Sequence, residues 1–241
     1  MRVHVFDHAE QAGRAAAALV AAQLLRKPDS VLGLATGSSP IPLYQQLIQL
    51  YQAGIISFCQ AVSFNLDEYV GIAPDHPCSY HRFMREQLFD HVDMRPGAAH
   101  IPNGMAADLA AEAAAYDRAI EEAGGIDLQI LGIGRNAHIG FNEPGDRFIT
   151  GCHVVRLTDS TIQANQRFFD SAQDVPRQAI SLGVGNIVQA RSVLLIATGA
   201  DKAQAVRDAL RGDITPQVQA SILQSHPQVD FLLDREAAGM L

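Results

Sequence analysis

The residues best suited to chemistry in this chain lie in Gly132-Ile133-Gly134-Arg135-Asn136-Ala137-His138-Ile139-Gly140-Phe141-Asn142-Glu143-Pro144-Gly145, where a histidine, two asparagines and a glutamate share a glycine-rich stretch directly after the apolar run 126–131. An imidazole gives and takes a proton near neutral pH, and a carboxylate beside it can orient and charge the ring. His138 and Glu143 are therefore a candidate acid–base pair, although an acid near a loop histidine can equally be structural. Gly132, Gly134 and Ala137 satisfy the letter of a dinucleotide fingerprint. That motif needs a helix to follow, and Gly140, Pro144 and Gly145 interrupt one, which argues against a nicotinamide or flavin site.

Two other turns carry reactive groups. In Ala35-Thr36-Gly37-Ser38-Ser39-Pro40, Ser39 is placed to cap a helix with Pro40 in its first position, and the backbone N–H groups, hydroxyls and dipole of such a turn suit a phosphate. The Gly-Lys-Ser/Thr ending of a nucleotide P-loop is missing, so a small phosphorylated metabolite fits better than ATP. The stretch Ser63-Phe64-Asn65-Leu66-Asp67-Glu68-Tyr69 ends a strand with two carboxylates. Neighbours on a strand face opposite ways, so only one can enter a given pocket, and alternation from Val62 leaves open which. A lone buried carboxylate there could act as a general base. Asp75, His76, Cys78 and His81 match no zinc spacing, and the chain is expected to use no metal. No Gly-x-Ser-x-Gly elbow surrounds Ser38 or Ser39.

These turns need a scaffold. Apolar runs at 31–34, 61–66, 126–131, 179–182 and 193–197 read as strands, and the intervening segments 41–51, 79–89, 106–122, 160–169 and 201–210 read as helices. Strands without a polar face are covered on both sides, so the alternation predicts an α/β fold: an open, mostly parallel, Rossmann-like sheet with helices on both faces. Ligands of such sheets bind outside the carboxyl ends of the strands, where all three turns fall.

With 241 residues, of which 48% are hydrophobic and 18% charged, the chain suits one domain spanning 1–241. A net charge of -8 argues against nucleic-acid or anionic-membrane partners. Three irregularly spaced cysteines suggest a reducing compartment. The alanine-rich stretch 15–25 reads as a first helix, since Asp7 and Glu10 sit where a signal peptide is positive. A cytoplasmic location is expected.

Taken in order, Leu34-Ala35-Thr36-Gly37-Ser38-Ser39-Pro40, the Asn65-Leu66-Asp67-Glu68-Tyr69 stretch and the Gly132 to Pro144 loop resemble the glucosamine-6-phosphate deaminase family. His76-Pro77, Ser79-Tyr80, Gln163-Ala164-Asn165-Gln166-Arg167-Phe168-Phe169 and Thr198-Gly199-Ala200-Asp201-Lys202-Ala203 extend the resemblance along the chain. It implies the reversible conversion of glucosamine 6-phosphate and water to fructose 6-phosphate and ammonium in amino-sugar catabolism, without redox or metal cofactor, and a place among hydrolases as well as isomerases. By the matching motifs, Asp67 is the base that moves the C2 proton to C1. His138 opens the pyranose ring, held by Glu143 and Asn136. Thr36, Gly37, Ser38 and Ser39 hold the substrate and its phosphate, with positive charge from Arg167 and Lys202.

The chain departs from parts of that pattern. Asn136 stands where one branch has an aspartate, leaving the His138–Glu143 pair without a third negative charge. His153 and Val155 occupy positions where long, allosteric members place basic residues for an effector phosphate, and the chain ends soon after Phe231-Leu232-Leu233-Asp234. A monomer or small homo-oligomer with hyperbolic kinetics and no effector site is expected. A galactosamine-6-phosphate isomerase or a 6-phosphogluconolactonase is the alternative enzyme, although a lactonase has no need of the Asp67 signature. A sugar-phosphate sensor of a transcription regulator would need a helix-turn-helix and a basic surface, and the sequence has neither.

Overall fold

A computed structural model describes residues 1–166, 169, 171 and 174–241. The chain runs β1 (Arg2–Phe6), α1 (Ala9–Arg26), β2 (Val31–Leu34), α2 (Ile41–Gln52), β3 (Val62–Asn65), β4 (Asp67–Tyr69), α3 (Tyr80–Gln87), β5 (Ala99–His100), α4 (Leu109–Glu122), β6 (Leu128–Leu131), β7 (His153–Arg156), α5 (Asp159–Asn165), β8 (Gln178–Ser181), α6 (Val184–Gln189), β9 (Ser192–Ala197), α7 (Ala203–Arg211) and β10 (Val229–Asp234), with short 3-10 turns between some of them. Seven strands pair in the order β1-β10-β9-β6-β2-β3-β5, all parallel. Every residue of β2, β6 and β10 is buried, as expected of strands covered on both faces.

From β2 the sheet grows one way through β3 and β5, and from β6 the other way through β9, β10 and β1. The order therefore reverses between β2 and β6, and the turns leaving those two strands flank a crevice. At the opposite end of the sheet, buried Asp127 is saturated by Lys27 Nζ (2.6 Å), Arg191 Nε (3.0 Å) and the Val31 N–H (2.8 Å), which marks it as structural.

Two expectations change. The segment 61–66 is not one strand: Leu66 separates β3 from β4, donating its N–H to Leu34 O (3.0 Å) while its own carbonyl accepts from Leu182 N (2.8 Å). The run around 179–182 does not join the parallel sheet, because β8 pairs antiparallel with β4 and β7 in a second sheet of order β4-β8-β7. Leu66 thus bonds to both sheets and Asp67 begins the second, in register with Ser181. No helix among the described residues is long and apolar enough to cross a membrane.

Candidate active site

The turns after β2, β3, β6 and β9 border one cleft of about 620 Å³. Thr36, Gly37, Ser38, Ser39, Asp67, Asn136, His138 and Lys202 all line it. Arg167 lies outside the described residues. The first turn is braced by fully buried Tyr44, whose hydroxyl donates to Ala35 O (2.6 Å) and accepts from Ala35 N (3.3 Å). Gly37 there has φ +93°, which a side-chain-bearing residue adopts only with strain. Helix α2 begins at Ile41 as read, but Pro40 and not Ser39 is its N-cap, Pro42 is in its first turn, and no side chain caps it. Ser39 is thereby left to line the cleft.

The two carboxylates of β4 separate as strand alternation requires. Asp67 enters the cleft, while Glu68 turns away from it and is 1% exposed. Among the described residues no donor reaches the Asp67 carboxyl. Burial, helped by the Glu68 charge, pushes its pKa up to about 8. Tyr69, Tyr80, Phe141 and Phe169 wall this side, with ring centroids 5.0–6.2 Å apart in the contacting pairs.

The loop after β6 folds into a tight turn, with Ala137 N donating to Gly134 O (3.0 Å) and Gly134 N to His138 O (2.9 Å). Ala137 takes the left-handed conformation at φ 62°, unusual for a residue with a side chain, and its carbonyl is held by Ala220 N (3.0 Å). This geometry sets His138 Nδ1 3.5 Å from Glu143 Oε2, farther apart than a short hydrogen bond. Asn136 organises the pair: its Nδ2 donates to Glu143 Oε2 (2.7 Å) and its Oδ1 accepts from His138 N (3.3 Å). Burial would raise Glu143, yet the adjoining His138, with Thr161 and Asn136, holds it down at about 2. Glu143 is thus an anion at neutral pH, suited to charging an imidazole. The opposite displacement of Asp67 suits a base with an affinity for a carbon-bound proton.

Several lining residues were not singled out by the sequence. Arg135 reaches Asp201 (Nε–Oδ2 2.7 Å) at the rim, and Tyr80 lines the cleft with Thr36, its ring centroid 5.0 Å from that of Tyr69. Tyr80 stood within a matching motif, Ser79-Tyr80, whereas the Arg135 contact depends on the remote β9 turn. His76 and Cys78 meet in a local turn, with Cys78 N donating to His76 Nδ1 (3.1 Å), and among the described residues no three His, Cys, Asp or Glu side chains gather as metal ligands.

Residues 6–231 match the family model described as glucosamine-6-phosphate isomerases/6-phosphogluconolactonase. The chain belongs to this family. A glucosamine-6-phosphate deaminase of Halothermothrix orenii is 51% identical over 241 residues, covering both chains completely, and that of Rhodopirellula baltica is 52% identical over 98% of this chain and 93% of its own. The solved structure of a monomeric glucosamine-6-phosphate deaminase superposes with a TM-score of 0.98 at 44% identity, each chain fully covered. A 6-phosphogluconolactonase from Trypanosoma brucei, at 19% identity and TM-score 0.79 over 100% of this chain and 98% of its own, shares the fold. The hydrolase class expected from the sequence is corrected. The full-length relatives at about half identity are glucosamine-6-phosphate deaminases, which places the chain with the isomerase/deaminase members of the family and not with hydrolases.

Proposed function

We propose that the chain converts glucosamine 6-phosphate and water to fructose 6-phosphate and ammonium in amino-sugar catabolism. The observation that carries this reading is the pairing, in one cleft, of a buried carboxyl that no donor among the described residues reaches, Asp67, with an imidazole backed by an anion, His138–Glu143. In the closed sugar, His138 takes the O1 proton and returns one to the ring oxygen as the C1–O5 bond breaks, leaving the open-chain aldehyde. Glu143 stabilises the transient imidazolium, and Asn136 holds Glu143 in line. Asp67 then removes the C2 proton while O1 takes up a proton given up by the C2 ammonium, forming an enolamine, and Asp67 delivers its proton to C1, which leaves an iminium at C2. Water adds to that carbon and ammonia departs, picking up a proton as ammonium. Oxidation at C2 balances reduction at C1, so the chemistry needs only proton transfers between fixed groups.

The substrate ammonium at C2 favours the ionised form of the carboxyl it approaches, which turns Asp67 from a protonated group in the free enzyme into a base when substrate is bound. Thr36, Gly37, Ser38 and Ser39 receive the 6-phosphate together with Lys202 and Arg167. The enzyme works without an allosteric effector, as a monomer or small homo-oligomer. His153 on β7 supports this, because burial lowers its pKa and leaves it neutral at pH 7, unable to supply charge to an effector phosphate. A charged sugar phosphate does not cross membranes unaided, so the cytoplasm is the compartment. Incubation of purified protein with glucosamine 6-phosphate tests the reaction. Ammonium and fructose 6-phosphate should appear in equal amounts, and binding without either product would overturn it.

A further inference from the structure

Glu68, next to the base of the proposed reaction, has no part in that mechanism. Its carboxylate accepts four hydrogen bonds: from the Tyr69 N–H at Oε1 (2.8 Å), and at Oε2 from the Ser79 hydroxyl (2.7 Å), the Tyr80 N–H (2.9 Å) and the His81 N–H (3.2 Å). Three of the four donors belong to the beginning of α3. Amide groups in the first turn of a helix have no partner inside it and favour negative charge. Ser79 caps the helix in the ordinary way, accepting from His81 N (3.1 Å), while passing its own proton to Glu68. This cluster joins the strand that carries Asp67 to the helix that carries Tyr80, and Tyr80 shares the cleft wall with Thr36 of the phosphate turn.

We propose that Glu68 is a positioning residue for the reaction: it pins the start of α3 to the catalytic strand, so that Tyr80 meets Thr36 across the cleft wall, and it keeps a fixed negative charge behind Asp67. This rests on the reaction assigned above. The other titratable groups near Asp67 are Tyr69, Tyr80 on α3, Tyr116 on α4 and Cys152 before β7, with His138 and Lys202 lining the same cleft. Burial raises the three phenols and the thiol, which stay neutral, so Glu68 is the carboxylate whose charge bears on Asp67. Glu68→Gln keeps the shape, removes the charge, and turns one oxygen into an NH₂ that faces N–H or O–H donors.

The test compares wild type, Glu68→Gln and Ser79→Ala by kcat and KM for glucosamine 6-phosphate across pH. In the ligand-free proteins it also follows the infrared carbonyl band of protonated Asp67, identified by its loss in Asp67→Asn. Glu68→Gln should lower the pH at which the band disappears, and with it the rising limb of kcat/KM, by about one unit. It should also raise KM. Ser79→Ala, which removes one donor and leaves the charge, should raise KM and move neither midpoint. An unmoved midpoint in Glu68→Gln, or a wild-type KM in Ser79→Ala, overturns the proposal. If Glu68→Gln does not fold, KM in Ser79→Ala decides alone. Absence of turnover in wild type would instead refute the reaction, while the infrared midpoint still judges the Glu68 charge.

Discussion

Gly134→Ala puts the placement of His138 to a quantitative test. A Cβ added at this position would lie 2.5 Å from Cε1 and Nε2 of His138 and 2.6 Å from Cδ2, whereas ordinary contact begins at 3.4 Å. The imidazole must therefore retreat by about 0.9 Å (3.4 − 2.5) from the loop that holds it. Gly134 is not among the residues with positive φ, so alanine fits the backbone and the change acts through the ring. Misplacing a reacting group by about 1 Å costs about 100-fold in rate. Crowding a packed loop costs about 1–3 kcal/mol of stability, too little to unfold a typical domain. Gly134→Ala should accordingly lower kcat/KM for glucosamine 6-phosphate about 100-fold. Thermal unfolding should stay cooperative, and solvent-proton exchange at C2 of an open-chain analogue should persist. A folded variant with kcat/KM close to wild type would refute the reasoning, because the ring would then not need its observed position.

Other consequences concern the carboxyls. Because the free enzyme holds the Asp67 proton to about pH 8, kcat/KM should rise with pH through about 8, and a limb near the ordinary carboxylate value would remove Asp67 as the base. Asp67→Asn should reduce turnover by about 10²- to 10⁴-fold and abolish exchange at C2 while substrate still binds; near-normal turnover contradicts the role. The native pKa of about 8 lies above the ordinary 3.8, so the stability this group contributes is full below 3.8 and is lost as pH rises toward 8. The melting temperature of Asp67→Asn should thus gain on wild type across that window, and a constant difference would count against it. Glu143 runs the other way: held at about 2 against an ordinary 4.5, it stabilises above 4.5 and ceases to as pH falls toward 2. Acid titration of melting temperature should show a steeper loss in wild type than in Glu143→Gln.

The parallel core was legible because β2, β6 and β9 are almost wholly apolar, and a strand with no polar face has few other places to go. The second sheet was not. The run around 179–182 has the same composition as a parallel strand, and its assignment depends on the pairing Asp67↔Ser181, made across more than a hundred residues. The same pairing settles which of Asp67 and Glu68 faces the cleft. Alternation carried along residues 62–66 could not decide it, because at Leu66 the chain leaves one sheet and enters another. The loop with His138 was legible as chemistry but not as geometry. That Asn136 bonds Glu143, and that Ala137 accepts a left-handed backbone to bring the histidine round, follow from Ala220 and the remote strand ends that clamp the turn.

The break at Leu66 also bears on why this carboxyl can be a base at all. A carboxylate at the end of a parallel strand ordinarily finds N–H groups or cations nearby, as Asp127 does at the other end of the sheet. By passing into an antiparallel pair with β8, the chain spends its backbone donors in that ladder, and the neighbouring Glu68 takes up those at the start of α3. Asp67 is left between aromatic walls with no donor among the described residues. Glu143, only a loop away in the same site, receives Asn136 and the Thr158 N–H (3.3 Å) and is pushed in the opposite direction. Two carboxyls with opposite displacements, one near 8 and one near 2, suit the proposed ring opening and carbon-to-carbon proton transfer. The fold obtains both by directing hydrogen-bond donors to one and away from the other.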